Sequence, residues 1–136
     1  MGKQENITTQ KNFGAAINSG KLYQFTDLMT RDVKDHDPAP AQGKGVEGFI
    51  AFFTEFREAF PDLKVEVESM VADEEQVAIA YTVTGTHQGS FHGVAATGKK
   101  IKARGVQIAR FEDGRIAERW GSSDELGILK QLGAAA

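Results

Sequence analysis

Between residues 46 and 60 apolar side chains fall at Val46, Phe49, Ile50, Phe53, Phe56 and Phe60, with Phe52 beside them. This broad stripe has helical spacing, and Pro61 ends it. The pattern predicts a long helix. It holds five of the nine phenylalanines, enough to fill a core and to form one wall of a cavity. Upstream, Ile7, Phe13, Ala16 and Ile17 share a helical face over residues 5 to 18, and Asn18-Ser19-Gly20 supplies a stop. The segment LYQFTDLMT repeats the interval with Leu22, Phe25, Leu28 and Met29. The polar run RDVKDHDPAPAQGKG that follows carries two of the three prolines and is expected to be an extended loop.

Beyond Pro61 the period changes to two. Leu63, Val65 and Val67 alternate with Lys64, Glu66 and Glu68, as a half-buried strand requires. After a turn at ADEEQ, Val77, Ile79, Tyr81 and Val83 form the next apolar face, with the small Ala78 and Ala80 behind them. THQGSFHGVAATGKK contains three glycines and reads as a strand end and a long hairpin. A third strand is expected over 101 to 111, a tight Asp-Gly turn at EDG, and a fourth strand in RIAERWGSS. In the final helix, DELGILKQLG, Asp124 can cap the N-terminus while Leu126, Leu129 and Leu132 face inward.

Helices first, then an antiparallel meander closed by a short C-terminal helix, make an α+β layout. A strongly curved, cone-shaped antiparallel sheet packed on the N-terminal helices gives an α+β barrel with a conical cavity. The 136 residues are expected to form one domain, ordered from about 5 to 133, with a tail over 134–136.

Net charge narrows the partners. At −3 the chain lacks the clustered cations that phosphate binding needs, so nucleic acid is not expected. Lys99, Lys100, Lys102 and Arg104 lie in a strand-like stretch without interleaved aromatics and read as a solvated edge. The absence of cysteine removes thiol nucleophiles and Cys-type zinc sites and suits the cytoplasm. MGKQENITTQ has no apolar run of signal-peptide length and no window approaches a membrane span, so no membrane association is expected and Asn6-Ile7-Thr8 is expected to carry no glycan. His36, His87 and His92 match no metal-ligand spacing, and there is neither a phosphate-binding Gly-rich loop nor Gly-x-Ser-x-Gly. No metal or cofactor is expected.

DHDPAPAQGKGVEGFIAFFTEFREAFPDL, GTHQGSFHGVAATGKKI and FEDGRIAERWGSSDELGILKQLG, in that order, resemble the SnoaL-like polyketide cyclase family. That family lies within the nuclear-transport-factor-like superfamily, which also holds ketosteroid isomerase and limonene epoxide hydrolase. The resemblance covers residues 5 to 133 and implies the cone-shaped fold. It implies an acid just after Trp120, serving cofactor-free aldol ring closure; here that position is Gly121. The usual Trp-Asp-x-x-Asp keeps only its second acid, Asp124, and Ala95 and Ala96 stand where two prolines are common. The resemblance further implies that Arg119 and Gly121 face the cavity and that Trp120 faces the outer side of the sheet, where a homodimer would pack.

Candidate residues follow. His36, between Asp35 and Asp37, has the composition of an acid–base unit, or is a loop histidine bonded to its neighbours. Asp124 is a cap or an acid. Gln107 shares a face with Gly105 and Ala109, which leaves an amide room to orient a carbonyl. Phe53, Tyr81, Gln107, Arg119 and Gly121 are expected to line the pocket. Two readings survive. One is an enzyme moving a proton next to a carbonyl of a hydrophobic small molecule, with His36 and Asp124 as acid–base groups. The other is a binding or dimerisation domain without catalysis, the acid having been replaced by Gly121.

Overall fold

The computed structural model describes residues 2–134, so residues 135 and 136 of the expected tail lie outside the described residues. Its elements are α1 (Lys3–Ser19), a 3-10 turn (Leu22–Gln24), α2 (Phe25–Leu28), β1 (Met29–Asp35), α3 (Gly45–Ala59), β2 (Lys64–Ala72), β3 (Gln76–Thr86), β4 (Lys100–Glu112), β5 (Arg115–Ser123) and α4 (Glu125–Gln131). The strands form one sheet in the order β1-β5-β4-β3-β2. From β2 to β5 each strand pairs antiparallel with the next, the expected meander.

β1 is the departure. The stretch expected to open an extended loop pairs parallel with β5, which makes the sheet mixed and leaves it open between the edges β1 and β2. Only Met29 and Val33 are buried in β1, and a register shift between Met29 and Lys34 breaks the period-two signal. An edge strand with five polar residues in seven shows little alternation in sequence; its partner strand supplies the pairing. Met29 therefore begins a strand instead of ending a helix, and α2 is a single turn.

The hairpin at 112 to 114 forms with positive φ at both Asp113 (50°) and Gly114 (76°), the twist that two-residue turns of this type need. Further register shifts at Val67/Ser69 and Arg110/Phe111 bend the sheet. Its concave side carries Ile101, Ala103, Gln107 and Ala109 of β4 and Val77, Ile79 and Val83 of β3, all buried.

The helices close this concave face. Phe13 of α1 stacks on Phe25 at 4.6 Å between ring centres, and Phe53 of α3 meets both rings edge-on at 6.1 and 5.8 Å. Arg57 of α3 donates to the Ile17 carbonyl at 2.9 Å and so holds the C-terminal end of α1. The buried side of α1 is unusually polar, with Asn6, Thr9 and Gln10 alongside Phe13, Ala16 and Ile17. Asn6 Nδ2 donates to Glu74 O at 3.0 Å and Thr9 Oγ1 to Gly114 O at 2.7 Å, which pins the helix to two strand turns.

α4 differs from its expected face. Ile128 and Leu132 are its buried residues, while Leu126 is 57% exposed. The Asp124 carboxylate accepts from Gly127 N at 2.8 Å, and this cap sets the helix phase that turns Leu126 outward. Among the described residues no helix is long and apolar enough to cross a membrane.

Candidate functional site

A cavity of about 300 Å³ lies between the helices and the concave face of the sheet, at the small end of the range for ligand sites. Phe49, Phe52, Phe53 and Phe56 of α3 and Phe91 of the 87–99 segment give it an apolar wall. Phe91 stacks on Phe56 at 5.9 Å, so the long β3–β4 connection contributes one ring to the helical stripe. Phe53 therefore serves both the core and the cavity lining.

The opposite wall is polar. Arg119 of β5, whose side chain is 17% exposed, forms an ion pair with Asp35, 7% exposed, at 3.1 Å between Nη1 and Oδ1. Its Nε donates to Gln107 Oε1 at 3.2 Å, and Nη1 also reaches the Asp37 carbonyl at 3.3 Å. With Oε1 occupied, the Gln107 amide keeps its Nε2 donors for another group. Gln42 donates to Asp35 Oδ2 at 3.1 Å and the Asp37 N–H to Asp35 Oδ1 at 2.9 Å, so the Asp35 carboxylate accepts three hydrogen bonds.

Gly121 lies next to this pair. A Cβ there would fall on the Arg119 guanidinium, 2.6 Å from Cζ, so the missing side chain is the space that the guanidinium occupies. The Gly121 N–H donates to Asp37 Oδ2 at 2.9 Å. Asp37 thus brings a carboxylate to residue 121 from the segment that follows β1.

The expected His36 unit is taken apart by the same strand geometry. His36 N–H pairs with Arg119 O at 2.9 Å, which extends the β1–β5 ladder by one residue. Successive side chains of an extended chain point to opposite faces, so Asp35 and Asp37 line the cavity while His36 turns to the outer face. There its ring stacks on Trp120, 4.5 Å between centres and 4° from parallel, with Glu118 Oε2 3.7 Å from Nε2. Neither neighbouring aspartate holds the imidazole. Asp124 also lies off the cavity wall, its carboxylate engaged as the α4 cap. Of the residues singled out in the sequence, Phe53, Tyr81, Gln107, Arg119 and Gly121 are brought together, and His36 and Asp124 are not.

Residues that sequence reasoning passed over complete the lining: Asp35, Asp37 and Gln42 around Arg119, Glu125 at the start of α4, and Gln10 of α1. The signal for the aspartates was the alternation Val33, Asp35, Asp37, masked by the reading of this segment as a loop. The histidines sit in three places, with His87 buried 2.9 Å from Thr97 Oγ1 and His92 3.8 Å from Glu125. Among the described residues no group of three or more His, Cys, Asp or Glu could hold a metal ion.

Tyr81 crosses the cavity floor over Gly105, where a Cβ would lie 2.5 Å from its hydroxyl, so this glycine is what lets the ring lie flat. Burial pushes the Tyr81 phenol above its ordinary value. The Arg119 charge and hydrogen bonding to Arg119 and Ser123 offset part of the rise, and the Glu125 charge adds to it. The phenol consequently stays protonated near neutral pH and can donate into the cavity.

The SnoaL-like polyketide cyclase family model matches residues 7–132. The aklanonic acid methyl ester cyclase DnrD of Streptomyces peucetius is 29% identical over 125 residues, which cover 87% of this chain and 83% of that protein. Among solved structures, TsrD of Streptomyces laurentii superposes with a TM-score of 0.90 at 25% identity, covering 98% of each chain. IdmH of Streptomyces antibioticus gives 0.84 at 30% identity, covering 94% of this chain and 98% of that one.

The raised Tyr81 value makes a linkage prediction. A group with a raised folded value stabilises the fold fully below its unfolded value and loses that contribution as pH rises through the folded one. Alkaline spectrophotometric titration should therefore show one of the two tyrosines ionising late. In Tyr81→Phe that late phase should vanish, and the alkaline loss of stability should become shallower. A Tyr81→Phe variant that retains the late phase contradicts the assignment.

Proposed function

The chain belongs to the SnoaL-like polyketide cyclase family, and from that membership and the chemistry of the cavity we propose that it binds an apolar, carbonyl-bearing small molecule and moves a proton next to the carbonyl without a cofactor. The reaction class is aldol ring closure or isomerisation. The observation that carries this reading is the Asp37 carboxylate resting on the Gly121 N–H, beside the Arg119 guanidinium. It supplies the acid that a side chain at residue 121 does not.

The two aspartates divide the work. Asp35 accepts three hydrogen bonds and neutralises Arg119, which makes it a positioning residue. Asp37 uses Oδ2 for the Gly121 N–H and keeps Oδ1 for a proton. With the substrate carbonyl oxygen on Arg119, Gln107 Nε2 and the Tyr81 hydroxyl, Asp37 removes the proton from the adjacent carbon, and the negative charge passes to that oxygen. Preorganised donors aimed at the oxygen where charge develops stabilise the enolate. The new bond forms from the enolate carbon to an electrophilic carbonyl within the same molecule, and the protonated Asp37 returns its proton to the resulting alkoxide. In an isomerisation, it returns the proton to another carbon of the enolate. The phenylalanine wall holds the ring system.

We further propose a homodimer through the outer sheet face. Val71, Ala78, Ile108 and Trp120 line up across β2, β3, β4 and β5 in register, with Ala80 and Val106 in the adjacent row. Val71, Val106 and Ile108 are 68%, 57% and 42% exposed. This exposed apolar row supports the reading, and the His36–Trp120 stack lies at its β1 side.

Turnover of aklanonic acid methyl ester and of simpler aryl β-dicarbonyl compounds tests the chemistry. Asp37→Asn should lower kcat by about 10²- to 10⁴-fold with ligand affinity retained, whereas Asp35→Asn should mainly weaken binding. Gly121→Asp should not raise activity, because its carboxylate displaces Arg119. Ligand binding with no turnover in the native protein would support the non-catalytic reading, and full activity in Asp37→Asn would remove Asp37 as the base. For assembly, sedimentation at micromolar concentration should show a dimer that Ile108→Glu converts to a monomer; a native monomer contradicts the interface.

A further inference from the structure

The β1–β5 ladder ends at His36, and from residue 37 to 43 no backbone-to-backbone hydrogen bond among the described residues ties the chain to the sheet or to a helix. Pro38 and Pro40 have no N–H to offer, and Pro38 keeps Asp37 extended. At its far end the segment is fixed where the Gly43 carbonyl lies against Gly48 of α3, so close that a Cβ there would collide with it. Between the two ends one side chain crosses the segment. Gln42 donates from Nε2 to Asp35 Oδ2 at 3.1 Å, and its Oε1 accepts the Ala39 N–H at 3.0 Å. The Gln42 backbone N–H closes a turn on the Ala39 carbonyl, also at 3.0 Å. Ala41, the third residue of that turn, has a φ of 65°, in the left-handed region where a side chain costs free energy and where glycine is usual after proline. Strained backbone persists where its surroundings hold it, and the Gln42 bonds are what hold this turn.

We infer that Gln42 is a positioning residue: by closing residues 35–42 into one hydrogen-bonded ring, it holds the Asp37 carboxylate on the Gly121 N–H. The inference rests on the proposed reading of Asp37 as the base and names what fixes that base in place. Asp37 lies between the two partners of the Gln42 amide, Asp35 and Ala39. Its own backbone contacts run to the Asp35–Arg119 pair, the N–H to Asp35 Oδ1 at 2.9 Å and the carbonyl from Arg119 Nη1 at 3.3 Å. Without the Gln42 amide, Asp35 loses one of its three donors, the Ala39 N–H loses its acceptor, and Ala41 is free to leave the left-handed region. All three changes act on the residues that flank Asp37. The residue type fits the task, since this bridge needs an acceptor for one partner and a donor for the other; glutamate has no donor and methionine has neither.

Two variants test this: Gln42→Met, of matching length without either polar contact, and Gln42→Asn, which keeps the amide but is one methylene too short to span Asp35 and Ala39. Residue 42 is half-buried outside the helices and strands, so neither change empties the core. The readout is the Gly121 amide in proton–nitrogen correlation spectra, because an N–H that donates to a carboxylate shifts when that carboxylate takes up a proton. In the native protein the Gly121 signal should move on acidification, and in Asp37→Asn it should not. In both Gln42 variants that movement should be lost while the Ile116 amide of the same strand keeps its native position, which separates lost positioning from lost structure. With a β-dicarbonyl compound that the native protein turns over, Gln42→Met should lower kcat by up to about 10²-fold at little change in KM, the penalty of roughly 1 Å of misplacement. A Gly121 response of native size in either variant overturns the role of Gln42. So does a rise in KM at unchanged kcat, which would mean that Gln42 acts on Arg119 instead of Asp37. A native Gly121 signal that ignores acid overturns both the inference and the anchoring of Asp37. Absence of turnover in the native protein defeats the proposed reaction alone, and the Gly121 response still decides for or against Gln42.

Discussion

A guanidinium cannot be enclosed by phenylalanines unless an acid goes in with it, and Asp35 is that acid for Arg119. Desolvating a lone charge costs far more than a cavity of this size can recover, whereas a hydrogen-bonded pair tolerates burial. Much of the polar wall follows from this pairing. It requires β1 to lie beside β5, since the Asp35 carboxylate reaches Arg119 only when the two are cross-strand neighbours. It also uses the volume that a side chain at residue 121 would take, since the guanidinium lies there. Once Asp35 is fixed, the period of an extended chain carries Asp37 to the same face and sends His36 to the other.

The same pairing explains how much could be read from the sequence. β2 to β5 and α3 announce themselves, because alternating strands and a helix with a phenylalanine stripe repeat at two and at three to four residues, although none of the residues of β2 is buried. β1 does not, since two apolar anchors separated by a bulge leave no period, and its aspartates, with Pro38 and Pro40 just beyond it, imitate a loop. That misreading alone hid the cavity aspartates. It made His36, flanked by two acids, look like a catalytic unit, although the flanking carboxylates point away from it. The residues taken from strands already legible, Tyr81, Gln107, Arg119 and Gly121, all lie in the lining. α4 departs less: Asp124 caps it as its sequence implies and Leu132 is buried, but Ile128 takes the inward place and Leu126 is 57% exposed.

Family and site then have to be kept apart. A cone-shaped fold hosts unrelated chemistries, and the position after Trp120, at which the resemblance implies an acid, holds glycine here. At the Arg119 end the cavity holds one guanidinium, one carboxylate that pairs with it, and a second carboxylate brought to residue 121 from outside β5. A loop-borne carboxylate is less rigidly held than one on a strand, and the single Gly121 N–H bond is its anchor.

The central claim is that the Arg119 end of the cavity receives a carbonyl oxygen, and a crystal structure of the complex with 2-hydroxyanthraquinone tests it most directly. The ring system should lie against Phe53 and Phe56, with one carbonyl oxygen about 2.7–3.2 Å from an Arg119 or Gln107 nitrogen. Density for the ligand outside the cavity, or inside it with both carbonyl oxygens turned away from Arg119 and Gln107, contradicts the account.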